Sequence, residues 1–319
     1  MSFAEYRLYE LYEIIERAEN LKSFRFRTLD GDRVPAFSAG AHVLVTVPGP
    51  HERQIRNAYT LTSPPGDRSH FEITVQLEPD GRGGSRHLHE VARAGMIYPI
   101  RAPINLFGLE NRAHKHLFVA GGIGITPIRA LMSEAERRGE NWELHYGFRG
   151  VQRAGFLTEI NTHDPRITLW DSMRSDRLDL TRILSGQPFG TKLYICGPER
   201  LVEGARSAAL AKGWPASSIL SEEFVRAGLG LPFSARLLTG QILEVGPTQS
   251  LLEALEDAGH PQPYMCRMGQ CGQCRIGLRP SAGKTLHRDG TLTDAERQSG
   301  NTIIPCVSRH CGGLLQLAI

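Results

Sequence analysis

Three of the six cysteines stand close together in the stretch CRMGQCGQC, residues 266–274. Cys266, Cys271 and Cys274 have the spacing C-x4-C-x2-C, and Cys306 follows later in the chain. This spacing is typical of a plant-type [2Fe–2S] site, in which three thiolates come from one loop and the fourth from a distant segment. We therefore predict that these four cysteines hold an iron–sulfur cluster.

Two glycines, Gly269 and Gly272, lie between these cysteines. Glycine permits positive φ and a close approach of the backbone, which a loop wrapped around a cluster needs. A structural zinc site is the alternative, but zinc sites usually show paired C-x2-C knuckles, and only one is present here. Cys196 and Cys311 are left over, and we expect both to be free thiols rather than iron ligands.

The composition of the chain indicates a globular protein and argues against several other classes. The chain has 319 residues, of which 40% are hydrophobic and 22% charged, so a packed chain of two or three domains is expected. A net charge of +3 is too small to indicate a nucleic-acid or membrane partner. No apolar run approaches the roughly 20 residues of a membrane-spanning helix. The N-terminus does not read as a signal peptide, so we expect a cytoplasmic protein with reduced thiols.

The pattern of apolar residues changes twice along the chain. Up to about residue 104, alternating runs such as AHVLVTV (41–47) and HFEITVQL (70–77) predict the closely spaced strands of a small closed barrel. From about residue 116, short apolar strands alternate with helical segments, which predicts a parallel sheet covered on both faces. The last part begins with a predicted hairpin and an amphipathic helix over TQSLLEALEDAG (248–259), followed by the cysteines.

Glycines mark two strand–helix junctions in the middle segment. GGIGITP (121–127) contains Gly121, Gly122, Gly124 and Thr126, and ICGPE (195–199) repeats the junction at a later strand. Glycines at such a place let a diphosphate approach the backbone at a helix N-terminus. An ordinary tight turn is the alternative for the first junction alone. Two junctions at one sheet edge predict a nucleotide site that also includes the residues of the second junction, Cys196, Gly197 and Pro198.

A nicotinamide and a [2Fe–2S] cluster cannot exchange electrons directly, because one gives up two electrons together and the other accepts one. A flavin converts between them, and the N-terminal barrel is the only domain left to hold it. IRNAYTLTSPP (55–65) supplies Tyr59 to cover the flavin ring and Thr60 to bond its polar edge. GRGGSRHLHE (81–90) supplies a phosphate cradle, whose residues are Arg82, Gly83, Gly84 and Ser85. The alternative for this second stretch is a glycine-rich hairpin loop with a capping serine.

These three sets of residues together resemble the phthalate dioxygenase reductase family, which includes vanillate demethylase reductases. The resemblance covers nearly the full length and is most specific in LLEALEDAG, YMCRMGQCGQCRIG and HRDGTLTDAERQSGNTIIPCVSR. It implies a multidomain protein with an antiparallel β-barrel flavin domain, an α/β parallel-sheet NAD domain and an α+β β-grasp ferredoxin domain. The implied boundaries are 1–110, 111–228 and 229–319.

The resemblance also implies cofactors, a partner and residue roles. FMN rather than FAD is expected, with NADH as donor and a terminal oxygenase, usually of the Rieske non-haem iron type, as acceptor. Tyr59 and Thr60 would contact the isoalloxazine, while Arg82, Gly84 and Ser85 would bind the phosphate. Thr126 would lie near flavin N5 and the nicotinamide, and Phe224, in SEEF (221–224), would close over the flavin.

Two details stay open in the sequence. The family's flavin motif is R-x-Y-S/T, whereas this chain reads R-N-A-Y-T, so Asn57 stands where arginine is expected and Arg56 is displaced by one. Either a bulge restores Arg56 to the flavin, or Asn57 and Arg82 share its work. Asp171 could accept from an adenosine ribose hydroxyl and favour NADH, while Arg149 could favour NADPH; the resemblance favours NADH.

The residues and the resemblance together predict an NADH-dependent electron-transfer enzyme that passes electrons through FMN and the cluster to a terminal oxygenase. A reductase for a cytochrome P450 is one alternative. The other is a non-catalytic redox sensor that uses the cluster as a switch.

Overall fold

The computed structural model describes residues 6–49, 53–174, 177–224 and 230–319. The chain divides into two compact units. The first consists of Met1–Val47, Tyr59–Leu77 and His87–Phe224, and the second of Pro48–Ala58, Glu78–Arg86 and Val225–Ile319. Two short pieces of the predicted flavin domain therefore belong to the same unit as the predicted ferredoxin domain. The predicted boundary between residues 228 and 229 lies outside the described residues.

Antiparallel strands form the N-terminal sheet, as the alternating runs predict. The strands are β1 (Tyr6–Ala18), β2 (Leu21–Thr28), β3 (Ala41–Pro48), β4 (Gln54–Thr60), β5 (Phe71–Gln76), β6 (Ile97–Arg101) and β7 (Ile104–Asn105). Their order is β4-β3-β6-β1-β2-β5, with β7 paired to β3. A bridge between Leu61, directly after β4, and Ile73 in β5 joins the two ends of this order. The sheet thus closes on itself, which confirms the predicted barrel.

The middle segment forms the predicted parallel sheet, in the order β10-β9-β8-β11-β12. Its strands are β8 (Lys115–Gly121), β9 (Trp142–Phe148), β10 (Ile167–Asp171), β11 (Thr191–Cys196) and β12 (Ile219–Glu222). The helices are α1 (Gly84–Arg86), which precedes the sheet in the chain, and then α2 (Ile125–Arg137), α3 (Leu180–Ile183) and α4 (Glu199–Ala211). Leu117 and Val119 pack with α4 on one face, and Phe118 and Ala120 pack with α2 on the other. Burial on both faces explains why β8 reads as a continuous apolar run.

A hairpin and a helix build the core of the C-terminal segment. The strands of the hairpin are β13 (Phe233–Arg236) and β14 (Ile242–Val245), and β13 also pairs in parallel with the later strand β19 (Leu315–Gln316). The helix α5 (Leu251–Asp257) begins after Ser250, which forms a capping box with Glu253. Its residues Leu251 and Leu255 pack on this sheet, as expected for the predicted β-grasp arrangement.

Shorter elements complete the C-terminal segment. They are β15 (Ile276–Gly277) paired with β17 (Thr302–Ile303), β16 (Lys284–Leu286) paired with β18 (Arg309–Cys311), and the helix α6 (Asp294–Ser299). Across the described parts of the chain, no helix has the length and apolar character needed to cross a membrane.

One buried carboxylate organises the barrel wall. Glu72 in β5 is almost fully buried, and it accepts hydrogen bonds from Arg25 Nε at 2.7 Å, Thr62 Oγ1 at 3.0 Å and Arg17 Nη2 at 3.2 Å. Burial alone raises the pKa of the Glu72 carboxyl, but the hydrogen bond from Arg25 and the charge of Arg17 outweigh it, so the pKa lies below its usual value. The folded chain therefore favours the ionised form of this side chain.

We expect Glu72→Ala to lower the free energy of unfolding by about 2 kcal/mol at pH 7, because two guanidinium groups lose a buried partner. Because the folded pKa is depressed, the stabilisation is full above the unfolded pKa of about 4.3 and is lost as the pH falls from there through the lower folded pKa. Thermal unfolding at a series of pH values measures both effects. Glu16→Ala removes an exposed carboxylate, paired with Lys22, and should change stability by no more than about 0.5 kcal/mol. A pH-independent cost at Glu72 would contradict the ionic explanation.

Candidate functional site: a cysteine loop, a glycine-lined sheet edge and flavin-type segments

The four predicted iron ligands lie together in the C-terminal segment. Cys266, Cys274 and Cys306 are buried and Cys271 is half-buried. Their thiols meet in two hydrogen-bonded pairs, Cys266 with Cys271 and Cys274 with Cys306. Among the described residues, no three metal-ligating side chains gather at one point. Two pairs of sulfur ligands fit a cluster of two irons, each iron held by one pair.

The backbone of the cysteine loop turns through left-handed conformations. Gly269 has φ +76°, Gly272 has φ +69°, and Arg267, which is not a glycine, has φ +56°. A Cβ on Gly269 would lie 2.7 Å from Val307 Cγ2, so this glycine also lets the loop pack against the segment of Cys306. The expected glycine conformations are thus present, whereas nothing in the sequence indicated the left-handed Arg267.

Amide groups point at the sulfur atoms. The Met268 N–H donates to Cys266 Sγ over 3.3 Å. Hydrogen bonding with the Cys266 thiol, aided by backbone amides, lowers the pKa of Cys271 to about 6, while the same contact raises the pKa of Cys266. One thiol of this pair is therefore ready to be a thiolate, the form that binds iron.

The two leftover cysteines occupy other places. Cys196 is the last residue of β11 in the parallel sheet, and burial raises its pKa well above the ordinary value. Cys311 ends β18, and its thiol lies 3.6 Å from the Lys284 carbonyl oxygen. Both positions agree with the expectation that neither cysteine is an iron ligand.

The glycines of the first strand–helix junction have two different tasks. A Cβ on Gly124 would lie 2.2 Å from the Cys196 carbonyl oxygen, and one on Gly121 would lie 2.6 Å from Leu201 Cδ2. These two glycines therefore allow the two junctions of the sheet edge to pack together. Gly122 has φ +54°, and nothing lies within 4 Å of its Cβ position. Among the described glycines of the two junctions, Gly122 alone combines a left-handed conformation with the open space that an approaching diphosphate needs.

The second junction brings a buried acid to the same edge. Cys196 pairs in register with Glu222 at the end of β12. Burial raises the pKa of Glu222 to about 8, and its Oε2 has no hydrogen-bond partner within the described ranges. A protonated carboxyl at this edge can donate a hydrogen bond to a bound ligand. The sequence did not single out Glu222, because nothing in SEEF separates it from the less buried Glu223.

The other predicted nucleotide residues lie at the strand ends or in the turns that follow. Gly197 and Pro198 precede α4, for which Pro198 is the N-terminal cap. Asp171 ends β10 and accepts from the Gly150 N–H at 2.8 Å and the Met173 N–H at 3.0 Å. Asp171 therefore orders the turn after β9, whatever else it binds.

Thr126 and Phe224, the two residues expected near the reacting atoms, both have local contacts. The buried Thr126 hydroxyl donates to the Ile123 carbonyl at 3.0 Å. Phe224 is partly buried against the core that contains Ile125 and Phe148. The predicted roles of Thr126 and Phe224 toward the flavin stay predictions.

One arginine that the sequence did not indicate ties the nucleotide edge to the barrel. Arg129 in α2 donates to the Thr62 carbonyl at 3.1 Å and to Glu159 at 2.6 Å, with its guanidinium 4.6 Å from the Phe156 ring centre. Thr62 follows Thr60 by two residues and Arg129 follows Thr126 by three. This contact fixes the helix after the first junction relative to the predicted flavin-binding strand.

The displaced arginine of the flavin motif is paired with an acid of α5. Arg56 donates to Gln54 Oε1 at 3.0 Å and to Glu256 Oε2 at 3.3 Å. Asn57 instead faces the cradle, since a Cβ on Gly84 would lie 2.3 Å from Asn57 Nδ2. Neighbouring residues of a strand point to opposite faces. The structure thus places Asn57 beside Gly84, and the roles of Arg56, Asn57 and Arg82 toward a flavin stay predictions.

The cradle residues themselves are ordered by their own segment and by α5. Ser85 Oγ accepts from the Glu78 N–H at 3.0 Å. Arg82 pairs with Glu253, and its Nε is buried with no partner in the part of the chain that the structure describes. Gly83 has φ +102°, and a Cβ on it would be in ordinary contact with Ile55 Cδ1 at 3.6 Å. The Arg82 Nε–H can donate a hydrogen bond to a phosphate oxygen, and Gly83 carries no side chain that would block its approach.

Buried polar side chains of the barrel are also suited to bind a flavin. Thr60 Oγ1 is buried and, among the described residues, has no hydrogen-bond partner. Tyr59 is half-buried beside it. His42 in β3 is also buried, neither ring nitrogen has a partner in the described segments, and burial lowers its pKa to about 4. Buried polar groups without partners are uncommon, so Thr60 and His42 suit a ligand with polar edges.

Comparisons with protein families match all three parts of the chain. The oxidoreductase FAD-binding domain matches residues 9–108 and the 2Fe-2S iron-sulfur cluster binding domain matches residues 238–312. The N-terminal domain of the dimethylamine monooxygenase subunit DmmA-like family matches residues 101–219. These matches define an oxidoreductase with a flavin-binding domain and a 2Fe-2S domain, as the sequence predicts.

Relatives and solved structures define the family. The chain is 40% identical to the heme-dependent oxidative N-demethylase beta subunit of Ectopseudomonas mendocina (strain ymp), over 93% of this chain and 94% of that one. It is 36% identical to a vanillate O-demethylase oxidoreductase of Pseudomonas sp. (strain HR199 / DSM 7063), over 94% and 96%. The structure of phthalate dioxygenase reductase superposes with a TM-score of 0.84 and 28% identity, over 98% of each chain. The chain belongs to the phthalate dioxygenase reductase and vanillate O-demethylase reductase family.

We expect serine at Cys266, Cys271, Cys274 or Cys306 to abolish the visible absorption of the cluster, because each substitution removes one iron ligand. Cys196→Ser and Cys311→Ser should keep the full iron and sulfide content. Iron analysis and absorbance of the purified variants measure this. Loss of the cluster from Cys311→Ser would contradict the ligand set.

The different surroundings of Gly124 and Gly122 give a second prediction, which concerns the sheet edge. Gly124→Ala should cost about 3 kcal/mol of stability, because the new methyl overlaps the Cys196 carbonyl. Gly122→Ala should cost only about 1 kcal/mol, from its left-handed backbone, yet raise the KM for the nicotinamide substrate. Thermal unfolding and steady-state kinetics separate the two effects. An unchanged KM for Gly122→Ala would argue against a diphosphate at this glycine.

Proposed function

We propose that the chain is the reductase component of a multicomponent oxygenase, taking electrons from NADH through FMN and the [2Fe–2S] cluster to a terminal oxygenase. The observation that carries the proposal is the presence in one chain of a paired four-cysteine loop, a glycine-lined sheet edge and flavin-type segments with unpartnered polar groups. When bound, the three groups supply conversion of a two-electron donor into single electrons.

The sheet edge suits NADH as donor. Gly122 leaves room for the diphosphate, and the Asp171 carboxylate ends the edge strand β10. A carboxylate there disfavours a 2′-phosphate, so we infer NADH rather than NADPH. Glu222, as a buried acid at the same edge, can hold a proton toward the bound ligand.

The flavin segments suit FMN. The cradle Arg82 to Ser85 offers the Arg82 Nε–H and the left-handed Gly83 to a terminal phosphate, with Asn57 beside Gly84. Thr60, whose hydroxyl has no hydrogen-bond partner among the residues that the structure describes, serves the polar edge of the ring, and Tyr59 covers it. The cofactor released by heat identifies the flavin by chromatography.

Two classes of terminal oxygenase are candidates. The family resemblance favours a Rieske non-haem iron oxygenase. A haem enzyme, the class that includes cytochrome P450, is the second candidate, because the relative at 40% identity is named a heme-dependent N-demethylase subunit. Thiolate ligation by four cysteines needs reduced thiols, which supports action in the cytoplasm.

We expect Cys274→Ser, folded and loaded with flavin, to retain reduction of the flavin by NADH, because hydride transfer needs only the nicotinamide and flavin sites. Ferricyanide should still be reduced, whereas cytochrome c reduction should slow by about tenfold or more, since it draws electrons through the cluster. Stopped-flow absorbance follows both steps.

Loss of flavin reduction together with the cluster would contradict this linear route. A redox sensor makes a different prediction, namely negligible turnover of NADH with ferricyanide by the wild-type protein.

A further inference from the structure

Helix α5 has an apolar face that packs against the cluster-binding cysteines. Leu252 is fully buried in a cluster of residues with Cys274, Cys306 and Val307. The Leu252 N–H also donates a hydrogen bond to the Pro305 carbonyl at 3.1 Å, next to the fourth ligand, Cys306. A shift of α5 would therefore displace the cysteine segments that it covers.

Two acids of α5 meet arginines from the flavin-type segments of the same unit. Glu253 pairs with Arg82 of the phosphate cradle. Glu256, one turn later, pairs with Arg56 of strand β4 at 3.3 Å. Residues three apart on a helix share a face, so one side of α5 receives both predicted flavin-binding segments.

Glu256 differs from its neighbours because it holds two arginines from two different segments. Its Oε2 accepts from Arg56, while its Oε1 accepts from Arg267, the residue directly after the ligand Cys266. Arg267 is 6% exposed, and its guanidinium lies 3.9 Å from the Tyr264 ring centre. The left-handed backbone of Arg267, with φ +56°, directs this side chain.

The Glu256 carboxylate is shielded from water, which strengthens its interaction with the two arginines. The Glu256 side chain is 15% exposed, and charge-assisted hydrogen bonds that are shielded from water are stronger than exposed ones. Without the carboxylate, Arg56 and Arg267 would both lose this shared acceptor. The adjacent pair of Arg53 with Asp257 spans 3.8 Å with both side chains more than half exposed, so it contributes little.

We propose that Glu256 is a positioning residue that holds the flavin-binding strand β4 and the cluster-binding loop in a fixed relation, and so sets the rate of electron transfer between the two bound groups. The proposal rests on the proposed function for the identity of those groups. Electron transfer depends on the separation of its centres, and Arg56–Glu256–Arg267 is a direct ionic connection from one binding segment to the other.

The test compares Glu256→Gln with a matched control, Glu244→Gln, in the full-length protein loaded with flavin and cluster. Glu244 is exposed on β14 and hydrogen-bonds only Ser234 among the contacts that the structure gives it. Both changes remove one negative charge at nearly constant volume. Stopped-flow absorbance records flavin reduction by NADH and then cluster reduction, and hydrogen–deuterium exchange records the opening of residues 54–58 and 266–270.

Glu256→Gln should reduce its flavin at the wild-type rate, reduce its cluster about tenfold more slowly and exchange faster in both segments, as a small misplacement of reacting centres predicts. Glu244→Gln should match the wild type in all three measurements. Wild-type cluster reduction and exchange in Glu256→Gln would overturn the proposal, as would loss of the cluster from that variant, which would make Glu256 a determinant of cluster assembly.

A second variant covers the case in which Glu256→Gln does not fold. Arg56→Gln removes the other end of the same contact, and it should speed exchange in residues 266–270 as well as in its own strand. Unchanged exchange at 266–270 would overturn the proposal. The wild type distinguishes failure of the underlying function: if NADH fails to reduce its flavin and then its cluster, the proposed function is wrong, whatever Glu256 does.

Discussion

The left-handed turns of the cysteine loop are the constraint on which the C-terminal segment depends. Three thiols within nine residues can face one cluster only if the backbone between them curls around the sulfur atoms and directs its amides at them. Gly269 and Gly272 adopt that curl without steric cost, and Gly269 also admits Val307. The segment of Cys306 can then lie under the loop, with Leu252 of α5 covering both. The iron site, its hydrophobic cover and the position of α5 are thus consequences of one backbone path.

A comparable steric constraint governs the parallel sheet. The two strand–helix junctions touch because Gly121 and Gly124 carry no side chain where Leu201 and the Cys196 carbonyl approach. This contact brings Gly122 and Glu222 to the same sheet edge, one with open space and the other with a buried acid. Gly121 and Gly124 are therefore needed for close packing at this edge. Gly122, which makes no such contact, is the junction glycine that a ligand can approach.

Ion pairs between arginines and carboxylates recur at the predicted binding segments. Arginines in or beside the predicted binding segments are paired with carboxylates: Arg82 with Glu253, Arg56 with Glu256 and Arg129 with Glu159. Such pairs orient a guanidinium before any ligand arrives, which lowers the entropy that binding must still remove. The same pairs connect the segments that carry these arginines to α5, which carries Glu253 and Glu256, and to the turn that carries Glu159. The same arginines can therefore both hold a binding segment in place and contact its ligand.

The sequence by itself determined the architecture and the chemistry of the cysteines. Alternation in AHVLVTV, the apolar run of β8 and the spacing C-x4-C-x2-C each report on local geometry, because strand period, burial on two faces and loop length are set by neighbouring residues. Tertiary structure alone decided the rest. That Arg56 turns to Glu256 while Asn57 faces Gly84, that Glu222 is buried and Glu223 less so, and that Arg267 reaches α5 all depend on residues distant in the chain. Ion pairs and burial between distant segments leave no periodic trace in a sequence, and only the folded chain shows which charges meet.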